Sequence, residues 1–195
     1  MMKTLSTTLP FTDVKNTDWC FSEVARVYAD GIMGGTSNTT FSPAGTLTRG
    51  QVVAMLYRMA GSPAVTANTT GFSDVDNGAY YADAVKWASG KEIVGGYADG
   101  TFAPNRAITR EQLAAILYRY AKANGADISV GEDTNLLSYK DFQSVGQYAV
   151  PALQWAVGSG LIGGTTNATL SPKGTATRAQ AAVILIRFVG MTAAK

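Results

Sequence analysis

The chain has 195 residues, 46% apolar and 15% charged, with 16 Lys+Arg against 14 Asp+Glu. That length buries a core without disulfides or a structural metal, that composition excludes a disordered tract, and scattered, nearly balanced charges exclude a basic nucleic-acid-binding stripe. Histidine is absent and Cys20 is the only cysteine, which removes Ser–His–Asp and Cys–His catalysis, His-ligated metals and internal disulfides.

Residues 1–11 carry one Lys and no apolar run of the kind a secretory signal needs. No stretch of the sequence approaches the roughly 18 apolar residues of a membrane span. Such a chain is either cytosolic or a piece of a longer exported protein.

From Phe11 onward the sequence repeats. Phe11-x-Asp13-Val14 is followed by Trp19, Ile32-Met33-Gly34-Gly35, Phe41-Ser42-Pro43 and Thr48-Arg49-Gly50-Gln51. The series returns as Phe72-x-Asp74-Val75, Tyr80, Ile93-Val94-Gly95-Gly96, Phe102-Ala103-Pro104 and Thr109-Arg110-Glu111-Gln112. It returns again as Tyr139-x-Asp141-Phe142, Tyr148, Leu161-Ile162-Gly163-Gly164, Leu170-Ser171-Pro172 and Thr177-Arg178-Ala179-Gln180. Arg49 to Arg110 is 61 residues and Arg110 to Arg178 is 68, the excess falling mostly in the polar connector 122–138. Three units follow: 11–60, 72–122 and 139–190.

Each unit reads as helix, Gly-rich loop, helix. Ala82–Ser89 predicts a first helix, and its counterpart starts near Val150, with Pro151 tolerated in the first turn. The paired glycines are expected to end these helices and to supply positive φ. The second helices carry the apolar runs 52–57, 113–118 and 181–186, each behind a Thr-x-x-Gln capping box. A unit of this size buries little apolar surface alone. The second helices are apolar all round, so they are expected to pack together. The predicted fold is mainly α: three helix–loop–helix repeats in a pseudo-threefold arrangement around a central helical bundle, forming one unit together.

The capping box puts Arg49, Arg110 and Arg178 at the first helical position, where the helix dipole disfavours a cation. Either the arginine and the free N–H groups bind an anion together, or the arginine pairs with Asp13, Asp74 or Asp141. Arg58, Arg119 and Arg187 recur near the C-terminal ends, where a cation is favourable, and read as structural. Trp19, Tyr80 and Tyr148 either pack in the core or stack on a sugar ring. Asp74-Val75-Asp76-Asn77-Gly78 is not a calcium loop, because the twelfth position is Val85. No recurrent carboxylate pair suits acid–base chemistry, so no enzyme activity, cofactor or metal is expected.

The series F-x-D-V, aromatic, G-x-I-x-G-G, F-x-P and [LI]-T-R-x-Q before an apolar helix resembles the S-layer homology (SLH) domain, usually found as three consecutive units. The likeness runs from Phe11 to about Gly190, and Ile108-Thr109-Arg110-Glu111-Gln112 is its most specific stretch. The resemblance implies non-covalent anchoring of a larger exported protein to the bacterial cell wall, by binding secondary cell-wall polysaccharide. The ligand is commonly a pyruvate ketal on a terminal amino sugar, held in grooves between repeats. By motif, Arg49, Arg110 and Arg178 would meet the ketal carboxylate. The neighbouring Thr48, Thr109 and Thr177, the loop glycines Gly35, Gly96 and Gly164, and the aromatics Trp19, Tyr80 and Tyr148 would line the sugar. A protein-interaction or S-layer self-assembly module is the alternative implied. This chain departs from the family in carrying Gln51, Gln112 and Gln180 where Glu is usual. Only the second unit keeps the Gly96-Tyr97-Ala98-Asp99-Gly100-Thr101-Phe102 loop, so the site of Arg110 is expected to be the strongest.

Overall fold

The structure is a computed structural model that describes residues 8–129, 131, 133–166 and 168–193. These form six α-helices: α1 (Phe21–Ala29), α2 (Arg49–Met59), α3 (Ala82–Gly90), α4 (Arg110–Ala123), α5 (Val150–Gly158) and α6 (Arg178–Ala193). Three single-turn 3₁₀ segments precede α5, and the only extended pairing among the described residues is isolated bridges. The mainly α class expected from the sequence is what is found, and α5 opens at Val150 with Pro151 in its first turn.

The starts of the second helices follow from the capping boxes. The Thr48 hydroxyl accepts from the Gln51 N–H at 3.3 Å while the Gln51 side chain accepts from the Thr48 N–H at 3.0 Å. Thr109 with Gln112, and Thr177 with Gln180, make the same reciprocal pair. Two otherwise orphaned donors are satisfied at each helix start. Glutamine performs this as well as glutamate, because only its carbonyl oxygen is used.

The glycine pairs do something other than expected. Positive φ falls after the first helices at Gly31 (69°), Glu92 (57°) and Gly160 (71°), not at the pairs. Gly35 and Gly96 are instead required by close approach. A Cβ on Gly96 would lie 2.4 Å from the Phe72 ring and 2.7 Å from the Thr101 carbonyl oxygen. On Gly35 it would lie 2.5 Å from the Phe11 ring. The aromatic that opens each of these repeats packs directly on the loop backbone, leaving no room for a side chain.

The chain divides into two compact units, one made of residues up to Leu47 together with those from Thr177, the other spanning Thr48–Ala176. In the first, α1 packs on α6 over a core that includes Val24, Phe41, Leu47 and Phe188. In the second, α2 packs on α3 and α4 on α5, around Leu56, Phe102, Leu117 and Trp155. Every one of these pairings joins the second helix of one repeat to the first helix of the next, with the third repeat leading back to the first. The sequence repeat is therefore not the packing unit. A fragment holding residues 11–60 alone keeps α1 and α2 but loses both their partners, α6 and α3. It is expected to show little helix by circular dichroism, whereas the whole chain melts cooperatively.

Candidate functional site

The recurrent arginines lie at the joints between repeats. Arg49 Nε donates to the Phe102 carbonyl at 2.9 Å and its Nη2 to the Gly95 carbonyl at 3.0 Å. Arg110 reaches Leu170 and Gly163 in the same way, at 2.9 and 2.6 Å. Arg178 reaches Phe41 and Gly34 at 2.7 and 2.6 Å. All three are buried, with only 7%, 7% and 5% of their surface exposed. Arg49 and Arg178 also lie over the rings of Phe102 and Phe41, at 4.7 and 4.6 Å from the centroids. Burial pulls the pKa of Arg49 and Arg110 down from the ordinary arginine value.

The aspartates hold the other side of the same loop. Asp13 accepts from the N–H groups of Phe41 and Ser42 at 2.8 and 2.7 Å. Asp74 does so from Phe102 and Ala103, and Asp141 from Leu170 and Ser171. The residue before each proline thereby sits at positive φ: Ser42 at 58°, Ala103 at 55° and Ser171 at 51°. A non-glycine residue in that region is strained, and the paired carboxylate bonds hold it there. One peptide unit, that joining Phe41 to Ser42, Phe102 to Ala103 or Leu170 to Ser171, is thus gripped at its N–H by an aspartate and at its C=O by an arginine.

This geometry revises both sequence explanations of the arginine. Arg49 and Arg110 make no ion pair among the described residues, so the aspartates influence them through charge but do not bind them directly. The helix N-termini are also closed to an anion. The first two N–H groups of α2 donate to the carbonyls of Arg106 and Pro104, those of α4 to Gly174 and Pro172, and those of α6 to Gly45 and Pro43. The third goes to the cap threonine, so Thr48, Thr109 and Thr177 serve as caps. A carboxylate arriving here would meet guanidinium, not free helix amides.

The aromatics are not core residues. Trp19, Tyr80 and Tyr148 are 68%, 65% and 52% exposed. Tyr148 borders a groove of about 200 Å³ whose other lining includes Arg49, Gly95, Gly96, Tyr97, Gln112 and Arg119. Its hydroxyl donates to Glu111 at 3.0 Å, and the same carboxylate takes the Gly146 N–H at 2.9 Å and the Lys173 ammonium. Glu111, only 3% exposed, thereby fixes the ring at the groove edge. Burial first, then the Glu111 charge, drives the Tyr148 hydroxyl pKa well above the ordinary tyrosine value. Arg119, read from the sequence as a structural helix-end cation, lines this groove; no sequence signal separates it from Arg58 and Arg187.

The loop on which the expectation for Arg110 rested lies elsewhere. The loop that retains Tyr97 belongs to the second repeat, but each arginine reaches into the loop of the repeat after its own. The full loop therefore lies beside Arg49, while Arg110 meets the Thr-rich loop of the third repeat. In the first and third loops Thr36 and Thr165 bond the Ser42 and Ser171 hydroxyls, at 2.7 and 2.8 Å, where the second repeat has Tyr97.

Helix–loop–helix repeats joined by an arginine inserted into the next loop define a repeat module. Residues 10–53, 71–114 and 138–182 match the S-layer homology domain, and the chain belongs to that family of cell-surface, cell-wall-associated proteins. It is 37% identical over 92% of its length to an endoglucanase of a Bacillus species, covering 19% of that protein. It is 25% identical over 91% to the cellulosome-anchoring protein of Acetivibrio thermocellus, covering 40% of it. It is 27% identical over 82% to the surface-layer 125 kDa protein of Lysinibacillus sphaericus, covering 13%. The chain spans less than half of each relative, and the match to the enzyme is through the S-layer homology repeats.

The aspartate clamp predicts acid sensitivity. Burial alone would raise the carboxyls of Asp13 and Asp141, but the two backbone amides on each, with Arg178 or Arg110 nearby, hold them below the usual range. A carboxyl with a lowered folded pKa contributes stability that is fully present above its unfolded value, about 3.9, and is lost as pH falls through the folded value. The melting temperature is expected to drop below about pH 4. Asp13→Asn is expected to shrink that drop, as read by thermal melts across pH.

Proposed function

We propose that the chain is a non-covalent cell-envelope anchor that binds secondary cell-wall polysaccharide through a pyruvylated terminal amino sugar. In this reading it tethers a larger exported protein, as the partial coverage of its longer relatives suggests. The observation that carries the proposal is the Arg49 groove. A buried guanidinium without a carboxylate partner among the described residues shares a concavity with a pinned tyrosine and Gln112. A ketal carboxylate supplies the missing charge, the Tyr148 ring offers a sugar-stacking face, and Gln112 offers polar contacts to hydroxyl or acetamido groups. The exposed Trp19 and Tyr80 offer comparable faces elsewhere on the chain. One charge-assisted contact is worth about 1.5–3 kcal/mol net, so single-site affinity is modest. Retention at the wall then comes from several sites engaging one polymer.

Calorimetric titration with the terminal amino sugar, with and without its ketal, tests this reading. Heat from the ketal form alone is the expected result. Equal heats would remove the ketal from the mechanism, and no heat from folded protein would favour a protein-interaction module. Among variants, Arg49→Gln is expected to weaken binding more than Arg110→Gln. Each is also expected to destabilise by about 1–3 kcal/mol through the stranded loop carbonyls, so melting is measured alongside.

A further inference from the structure

We infer that the groove of Arg49 takes a ligand segment bearing two negative charges, not one. The inference rests on the glycan-binding reading above and deepens it by specifying the charge of the ligand. Arg49 and Arg106 lie over the Tyr97 ring, at 5.0 and 5.4 Å from its centroid. Arg119 lines the same groove from α4. Two guanidinium groups, Arg49 and Arg119, therefore line one concavity, and a third, Arg106, lies over the ring of Tyr97 at its border; none of them makes an ion pair among the described residues.

The carboxylates whose charge reaches this region are engaged elsewhere. Asp74 holds the amides of Phe102 and Ala103. Glu111 is buried against Gly146, Tyr148 and Lys173. Like charges gathered in a concavity raise the local concentration of anions and repel one another until those anions arrive. The Arg106 charge accordingly helps to lower the pKa of Arg49. A single ketal carboxylate compensates one guanidinium and leaves two.

Comparison of the repeats shows that this excess is local. Arg119 has counterparts in Arg58 and Arg187, but Tyr97 is replaced by Thr36 and Thr165, and Arg106 by Gly45 and Gly174. The two side chains that the second repeat adds are an aromatic ring and a cation over that ring. They extend the anion-binding surface away from Arg49. The second negative group, a carboxylate or a phosphate on the same or the adjoining sugar, would face Arg106 and Arg119.

The test compares three probes by calorimetry at low and high NaCl. They are the ketal-bearing amino sugar alone, the same sugar linked to glucuronate, and the same sugar carrying a methyl phosphodiester, whose single charge keeps the probe dianionic. At least one dianionic probe is expected to bind about tenfold or more tightly than the ketal sugar, as one further charge-assisted contact allows. Which of the two does so distinguishes carboxylate from phosphate. The gain is expected to shrink at high salt and to disappear in Arg106→Gly with Arg119→Gln. Arg106→Gly installs the residue that the other repeats use, and Arg119 is exposed, so neither change threatens the fold. If the ketal sugar binds and neither dianion binds more tightly, or if the gain survives both substitutions, the inference is overturned while the anchor reading stands. If no probe binds the folded protein, both fail.

Discussion

The rest of the structure depends on a buried arginine inserted from one repeat into the next. Its guanidinium takes two loop carbonyls, and the aspartate of the receiving repeat takes the two amides around the same peptide. Charged partners make these bonds stronger than neutral ones, and burial keeps water from competing for them. The loop is consequently held in a strained pre-proline conformation that would otherwise relax. The guanidinium donates to neutral carbonyls, and those of Arg49 and Arg178 also lie over an aromatic face.

The same insertion ties each second helix to the following repeat. The N–H groups at the start of each second helix are completed by carbonyls of the following repeat. The helix packs on that repeat's first helix. Assembly of the core and satisfaction of the helix ends are therefore one event, and the compact units cut across the sequence repeats.

Function follows from what the joint leaves uncovered. With the helix amides closed off, the guanidiniums of Arg49 and Arg119 are the cations that line the Arg49 groove. The side chains added around it set what each site can take. Near Arg49 these are Tyr97, Arg119 and a tyrosine pinned by buried Glu111. Near Arg178 and Arg110 the loops carry threonine hydroxyls bonded to a neighbouring serine. Repeats of one ancestry thus present chemically unequal surfaces.

Local information was enough for much of this. The Thr-x-x-Gln boxes, the apolar runs and Pro151 located the helices, because capping and helix propensity act within a few residues of the chain. Repetition of the motifs identified the family and singled out Arg49, Arg110 and Arg178. The sequence did not reveal that the Gly pairs make way for Phe11 and Phe72, nor that Asp13, Asp74 and Asp141 each accept from two loop amides. It did not show that Arg119 and Tyr148 border one groove, or that the second repeat's loop faces Arg49 and not Arg110. Each of these is a contact between residues far apart in the chain, decided by which repeat receives which arginine. That choice is a property of packing: a motif specifies what its own turn of helix needs, and only the tertiary structure decides which neighbour supplies it.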